Sequence, residues 1–113
     1  MLLEKISRMA LLKDFYGPLL TPKQQEVVSL HYESDWSFSE IAGQMGVTRQ
    51  AVYDLLRRAE QSLEDYEKRL GLVEKFLETR RQLEQVCDLL ESEKECPRVS
   101  AALKILRSVN ESV

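Results

Sequence analysis

Apolar residues recur at helical spacing along the whole chain, and no run alternates strictly enough to argue for a strand. Ile6, Met9, Leu12 and Phe15 predict a first helix over about Leu3 to Tyr16. Gly17-Pro18 stops it, because proline cannot continue the hydrogen-bond ladder. Thr21-Pro22-Lys23-Gln24 opens a second helix, with Thr21 as N-cap, Pro22 in the first turn and Gln24 completing a capping box. Val27, Leu30 and His31 share one of its faces, with Val28 and Tyr32 beside them. Glu33-Ser34-Asp35 reads as a polar turn. Ser37-Phe38-Ser39-Glu40 then repeats the capping box, with Trp36 and Ile41 placed as a hydrophobic staple. A short third helix, about Phe38 to Met45, ends at Gly46, a residue suited to a left-handed C-cap. Thr48 caps a fourth helix that meets no break before Gly71. A fifth runs from Leu72 to about Lys94, and Cys96-Pro97 separates it from a sixth over about Arg98 to Asn110. Val99, Ala102, Leu103, Leu106 and Val109 line one side of that last helix. The fold class is all-α.

The third and fourth helices have the pattern of a helix-turn-helix over about 38–58. Ala42 is small where two helices cross closely, and Gly46 supplies the positive φ that a β-carbon opposes. Val52 and Leu55 return apolar side chains onto Ile41, Ala42 and Met45, and Val47 is expected to plug the turn against the core. The linking Gly46-Val47-Thr48 is short enough to hold the helices at a steep angle. One face of the fourth helix is left outward: Arg49, Gln50, Tyr53, Asp54 and Arg57, with Arg58 next to it. Arginine pairs with guanine and glutamine with adenine in the major groove, and the N-terminal residues of a recognition helix are those that reach base edges. Thr48, Ser39 and Lys23 are candidates for phosphate contacts.

Charge complicates that picture. The 113 residues carry a formal net charge of -3. Between Thr21 and Ser62, Lys23, Arg49, Arg57 and Arg58 face Glu26, Glu33, Asp35, Glu40, Asp54 and Glu60, four cations against six anions. A DNA-binding module ordinarily has a basic footprint, so the positive charge here is local, and nonspecific affinity is expected to be modest and salt-sensitive.

The residues LLKDFYGPLLTPKQQEVVSLHYESDWSFSEIAGQMGVTRQAVYDLLRRAEQSLEDYEKRLGLVEKF, about Leu11 to Phe76, resemble the YlxM family of small bacterial proteins. DFYGPLLTPKQ, TRQAVYD and the EKRLGL ending carry the likeness. Thr21 to Leu63 is also similar to region four of bacterial sigma factors, a helix-turn-helix of the winged-helix superfamily type that reads promoter DNA. No other sigma region precedes it, so a complete sigma factor is not expected. The resemblance implies an all-helical fold and a DNA-binding or regulatory role. By matching position, Thr48, Arg49, Gln50, Tyr53 and Arg57 correspond to the recognition helix of region four. Genes of this family commonly lie beside the gene for the signal recognition particle GTPase, which implies a part in that pathway. The alternative role is then an accessory that contacts this GTPase or its RNA without binding DNA. The family brings no catalytic residues.

Two further expectations concern assembly and organisation. Val52, Leu56, Ala59, Leu63, Tyr66 and Leu70 form a heptad-like seam on the fourth helix, and Phe76, Thr79, Leu83, Val86 and Leu90 continue similar spacing on the fifth, widened by Val73, Leu77 and Cys87. A chain this small does not easily cover several long apolar stripes alone, so a homodimer through the long helices or the tail is expected. Residues 1–71 read as a helical domain, and 72–113 as a helical extension packed on the same core or on a partner.

No other chemistry stands out. Cys87 and Cys96 do not make a disulfide framework and fit a reducing cytoplasm, with Cys87 in the core and Cys96 in a turn. His31, the single histidine, is expected to be packed, and with the cysteines it lacks metal-ligand spacing. No phosphate-binding glycine loop occurs. Glu91, Glu93 and Glu95 read as a solvated helix end. An enzyme, a cofactor, a metal or a membrane partner is therefore not expected.

Overall fold

The computed structural model describes residues 2–112. Among the described residues there are six α-helices and no strand. The chain divides into two compact units, one ending at Val73 and the other beginning at Glu74.

The first unit contains α1 (Leu2–Tyr16), a 3-10 turn at Gly17–Leu19, α2 (Pro22–Val28), α3 (Phe38–Met45), α4 (Arg49–Leu70) and the start of α5 (Leu72–Glu91). Alpha-helix α2 does not end at Val28 but loosens into one π-helical turn, Ser29–Glu33. The caps form as their residues dictate. Thr21 Oγ1 accepts from Gln24 N at 3.2 Å while Gln24 returns its side chain to Thr21 N at 3.1 Å. Ser37 and Glu40 do the same at 3.2 and 3.1 Å. Asp35, between them, takes a positive φ of 56°, which short polar side chains tolerate better than most.

Helix α4 is the axis of this unit and packs against α1, α2 and α3. Leu12, Val27, Val28, Ile41, Val52, Ala59 and Leu63 are fully buried around it. Each large aliphatic side chain removed from water in this way contributes about 1.5–3 kcal/mol. Among the described residues, two ion pairs tie the outer side of α1 to α4: Arg8 to Glu64, bidentate at 2.8 and 2.7 Å, and Lys5 to Glu60 at 3.2 Å. The seam from Val52 to Leu63 is thus consumed inside the chain. Only its end, half-buried Tyr66 and exposed Leu70, is left over. The side chain of Ile6, expected on the inner face of α1, lies outside the described residues.

The joint after α4 is built with care. Gly71 ends the helix at φ 62°. The first N–H groups of a helix have no partner within it, and here two are met by side chains from elsewhere. Leu72 N donates to Tyr16 Oη at 3.1 Å, and Val73 N donates to Glu67 Oε1 at 2.9 Å. Tyr16, itself 1% exposed, donates its hydroxyl to the same Glu67 oxygen at 2.5 Å.

The second unit holds the rest of α5 and α6 (Pro97–Ser112). Of its described residues, Cys87 and Leu103 are buried, while Cys96 is exposed in the turn between the helices. The Glu91–Glu95 segment is not simply a solvated end. Glu91 accepts from Arg107 at 2.6 Å and from Lys94 at 3.1 Å, so it links the two helices, whereas Glu93 and Glu95 are exposed. Val86 and Val109, expected on inner stripes, are 40% and 43% exposed, and Leu77, Leu89 and Ile105 are exposed as well.

Candidate nucleic-acid interface

The turn that presents α4 follows from three residues. Gly46 sits at φ 68°, ψ 35°, and the amides of Gly46 and Val47 both return to Ala42 O, the latter at 3.1 Å. Thr48 Oγ1 accepts from Ala51 N at 3.0 Å and starts α4. No atom stands within 4 Å of a β-carbon built on Gly46, so alanine there meets only the backbone penalty of the left-handed region. Gly46→Ala should cost about 1 kcal/mol, read as a shift in the urea midpoint. Val47 does not plug the core. It is 38% exposed, because Ile41, Ala42 and Val52 already close the space behind the turn.

Arg49, Gln50, Tyr53, Asp54, Arg57 and Arg58 are all exposed. At 100° per residue, Gln50, Tyr53, Asp54 and Arg57 form one stripe along α4, with Arg58 on its flank and Arg49 at its N-terminal end. The stripe is internally bonded. Gln50 Nε2 donates to Asp54 Oδ1 at 3.1 Å, which leaves the amide oxygen of Gln50 free to accept. Arg57 Nη1 donates to Tyr53 Oη at 3.1 Å, with its guanidinium carbon 5.7 Å from the centre of the Tyr53 ring. The bond to Tyr53 raises the already high pKa of Arg57, so it is cationic throughout the working range. Asp54 therefore has a visible role on the exposed stripe: it holds Gln50 and offsets local charge. Ser39 and Lys23 are exposed in the first turns of α3 and α2, on separate elements from the stripe.

A second feature adjoins the stripe and is not evident from the sequence. His31 and Tyr32, Phe38 and Tyr53 stand around an open cavity of about 390 Å³. The His31 and Phe38 rings are 5.4 Å apart, and those of Phe38 and Tyr53 6.2 Å apart. Met9 and Leu56, both nearly buried, form its apolar part. Burial pushes the Tyr32 phenol well above its ordinary range, with the charge of nearby Glu60 adding to the shift. His31 is half-buried as expected, and its Nδ1 is sealed from solvent without a hydrogen-bond partner.

Residues 3–102 match the family described as "Putative helix-turn-helix protein, YlxM / p13 like". Named relatives agree. The UPF0122 protein YlxM of Bacillus subtilis is 42% identical over 110 residues, covering 97% of this chain and all of the relative. UPF0122 proteins of an Exiguobacterium strain and of Desulforamulus reducens are 55% and 48% identical over 85 and 89 residues, spanning 75% and 79% of this chain and 78% and 76% of the relatives. The likeness therefore extends well beyond Phe76, where the motifs quoted from the sequence stop, and takes in most of α6. With the buried Ala42, the left-handed Gly46 and the capped α4 in place, the chain belongs to the UPF0122 family of YlxM/p13-like helix-turn-helix proteins.

Proposed function

We propose that this protein is a DNA-binding regulator that reads duplex DNA through α4. The observation that carries the reading is the outward stripe: Arg49, Gln50, Tyr53, Asp54 and Arg57 exposed on the first turns of a helix whose opposite face is fully buried. Arg49 and Gln50 reach base edges, Arg57 and Arg58 serve base or phosphate contacts, and Thr48, Ser39 and Lys23 address phosphates. Residues to about 71 act as the reading unit, and residues 72–113 serve assembly.

Four cations cannot hold DNA tightly alone, so the acting species in this reading is a homodimer in the cytoplasm, with two recognition helices about 34 Å apart on one face of the duplex. Because the α4 seam is spent on the core, the second unit supplies the contact, through Val86, Leu89, Ile105 and Val109. Light scattering at about 10–100 µM, far above the Kd of a stable interface, should give twice the chain mass, and a monomer would remove this part of the proposal. Footprinting on genomic fragments at low salt tests the function itself. One protected site or a few are expected, and uniform or absent protection overturns the reading.

A second reading rests on the family resemblance and on the acid excess over Thr21–Ser62, which favours a protein partner over DNA: α4's outward residues or the tail contact the signal recognition particle GTPase, or, on the resemblance alone, its RNA. A pull-down that retains neither component, with GTP turnover unchanged, rejects it.

A further inference from the structure

The cavity beside α4 stays open although Tyr32 and Phe38 pack against the core and Tyr53 and Arg57 belong to the α4 stripe. Four of its lining residues are rings, His31, Phe38 and Tyr53, with Tyr32 edge-on to His31 at 4.7 Å, and Lys5, Glu60, Gln61 and Glu64 add a polar part. Its volume of about 390 Å³ falls at the small end of ligand pockets, which span about 300–1,000 Å³. The charges around it are unequal in availability. Glu60 is engaged by Lys5 and Glu64 by Arg8. Arg57, by contrast, bonds to the Tyr53 hydroxyl and forms no ion pair among the described residues. An occupant that satisfies this site has a flat π-system for the rings and an anionic group for Arg57. An aliphatic acid would leave the ring faces unused, and a base still stacked in a duplex could not enter.

We infer that the cavity binds one unstacked nucleotide, its base against Phe38 and Tyr53 and its phosphate at Arg57. Aromatic faces accept any base, and unstacked bases are what single strands, bulges and ends present. Tyr53 and Arg57 belong both to the α4 stripe and to the cavity rim. A strand lying along α4 is thereby led to the pocket. The inference rests on the reading of that stripe as a nucleic-acid surface and adds a class of ligand to it: a nucleotide, either free or at an opened position in a strand.

The test uses the full chain and three probes: a 12-nucleotide single strand with one central 2-aminopurine, the same sequence as a duplex, and AMP. Binding of the single strand should quench 2-aminopurine fluorescence. Phe38→Leu should weaken single-strand binding by about tenfold and abolish the quench, while leaving duplex affinity unchanged. Phe38→Tyr retains the ring and should keep the quench, which separates a lost stacking face from a misfolded protein. Competition by AMP identifies a free nucleotide as sufficient, and competition only by strands identifies the opened position, either result supporting the pocket. Duplex binding with no quench and no effect of Phe38→Leu overturns the pocket and leaves the duplex reading standing. Ring-dependent single-strand binding without a duplex site does the reverse. Failure to bind any probe overturns both.

Discussion

Tyr16→Phe should lower the free energy of unfolding by about 2–4 kcal/mol, because one hydroxyl serves two bonds. Without it, the Leu72 amide loses its acceptor, and the Glu67 carboxylate loses the Tyr16 donor while still facing Val73 N. Tyr16→Ala should cost more, about 3–5 kcal/mol for the lost ring alone. Glu67→Gln should be partly redundant with Tyr16→Phe, so a double-mutant cycle in urea should show their effects to be strongly non-additive. The joint also carries a pH dependence. Burial, and then the bond to Glu67, raise the Tyr16 pKa above its ordinary value of 10.0. The folded state therefore holds the phenolic proton more tightly than the unfolded chain does. That contribution is complete below pH 10.0 and is lost as pH rises through the folded-state value. Tyr32 acts in the same direction. Urea midpoints measured from neutral pH into the alkaline range should fall above pH 10, and less steeply in Tyr16→Phe.

Arg49→Ala combined with Gln50→Ala should abolish the footprint. Each bidentate base contact is worth about 1–3 kcal/mol of discrimination, so the pair accounts for about 2–6 kcal/mol, a large share of the about 4–10 kcal/mol that separates specific from nonspecific binding. Lys23→Ala separates the two kinds of contact. It should weaken all sequences alike and lower the salt slope by about 1. Stability should be nearly unchanged in all three, since these side chains are exposed and outside the core. Gel shifts across a salt series read both effects. An intact footprint in the double variant would mean that α4's N-terminal side chains do not read bases.

Much of the fold was legible because its local signals agree. Thr21/Gln24 and Ser37/Glu40 each fix a helix start through two reciprocal bonds, and Gly46 and Gly71 each fix an end through a positive φ. Such short-range rules need no knowledge of the rest of the chain. The outward α4 stripe was legible for the same reason, being the complement of Val52, Leu56, Ala59 and Leu63. What stayed hidden depends on distant partners. The α4 seam suggested a dimer, yet α1, α2 and α3 fill it. The Tyr16–Glu67 bond joins residues 51 positions apart, and no periodicity marks either member. Phe38 read only as the first residue of α3, although its ring lies between His31 and Tyr53.

The π-helical turn at Ser29–Glu33 bears on how the family is to be compared. Such a turn takes one more residue than an α turn and is common at functional sites. It acts as a phase shift: deleting one residue there would turn the remainder of that helical segment by about 100°, with the loop at 34–37 taking up the change, while barely altering percentage identity. His31 and Tyr32 sit within it and face the cavity. Relatives that align well yet lack that extra residue should therefore keep the helix-turn-helix and lose the aromatic wall. Sequence length between the two capping boxes is then a better guide to shared ligand than overall similarity.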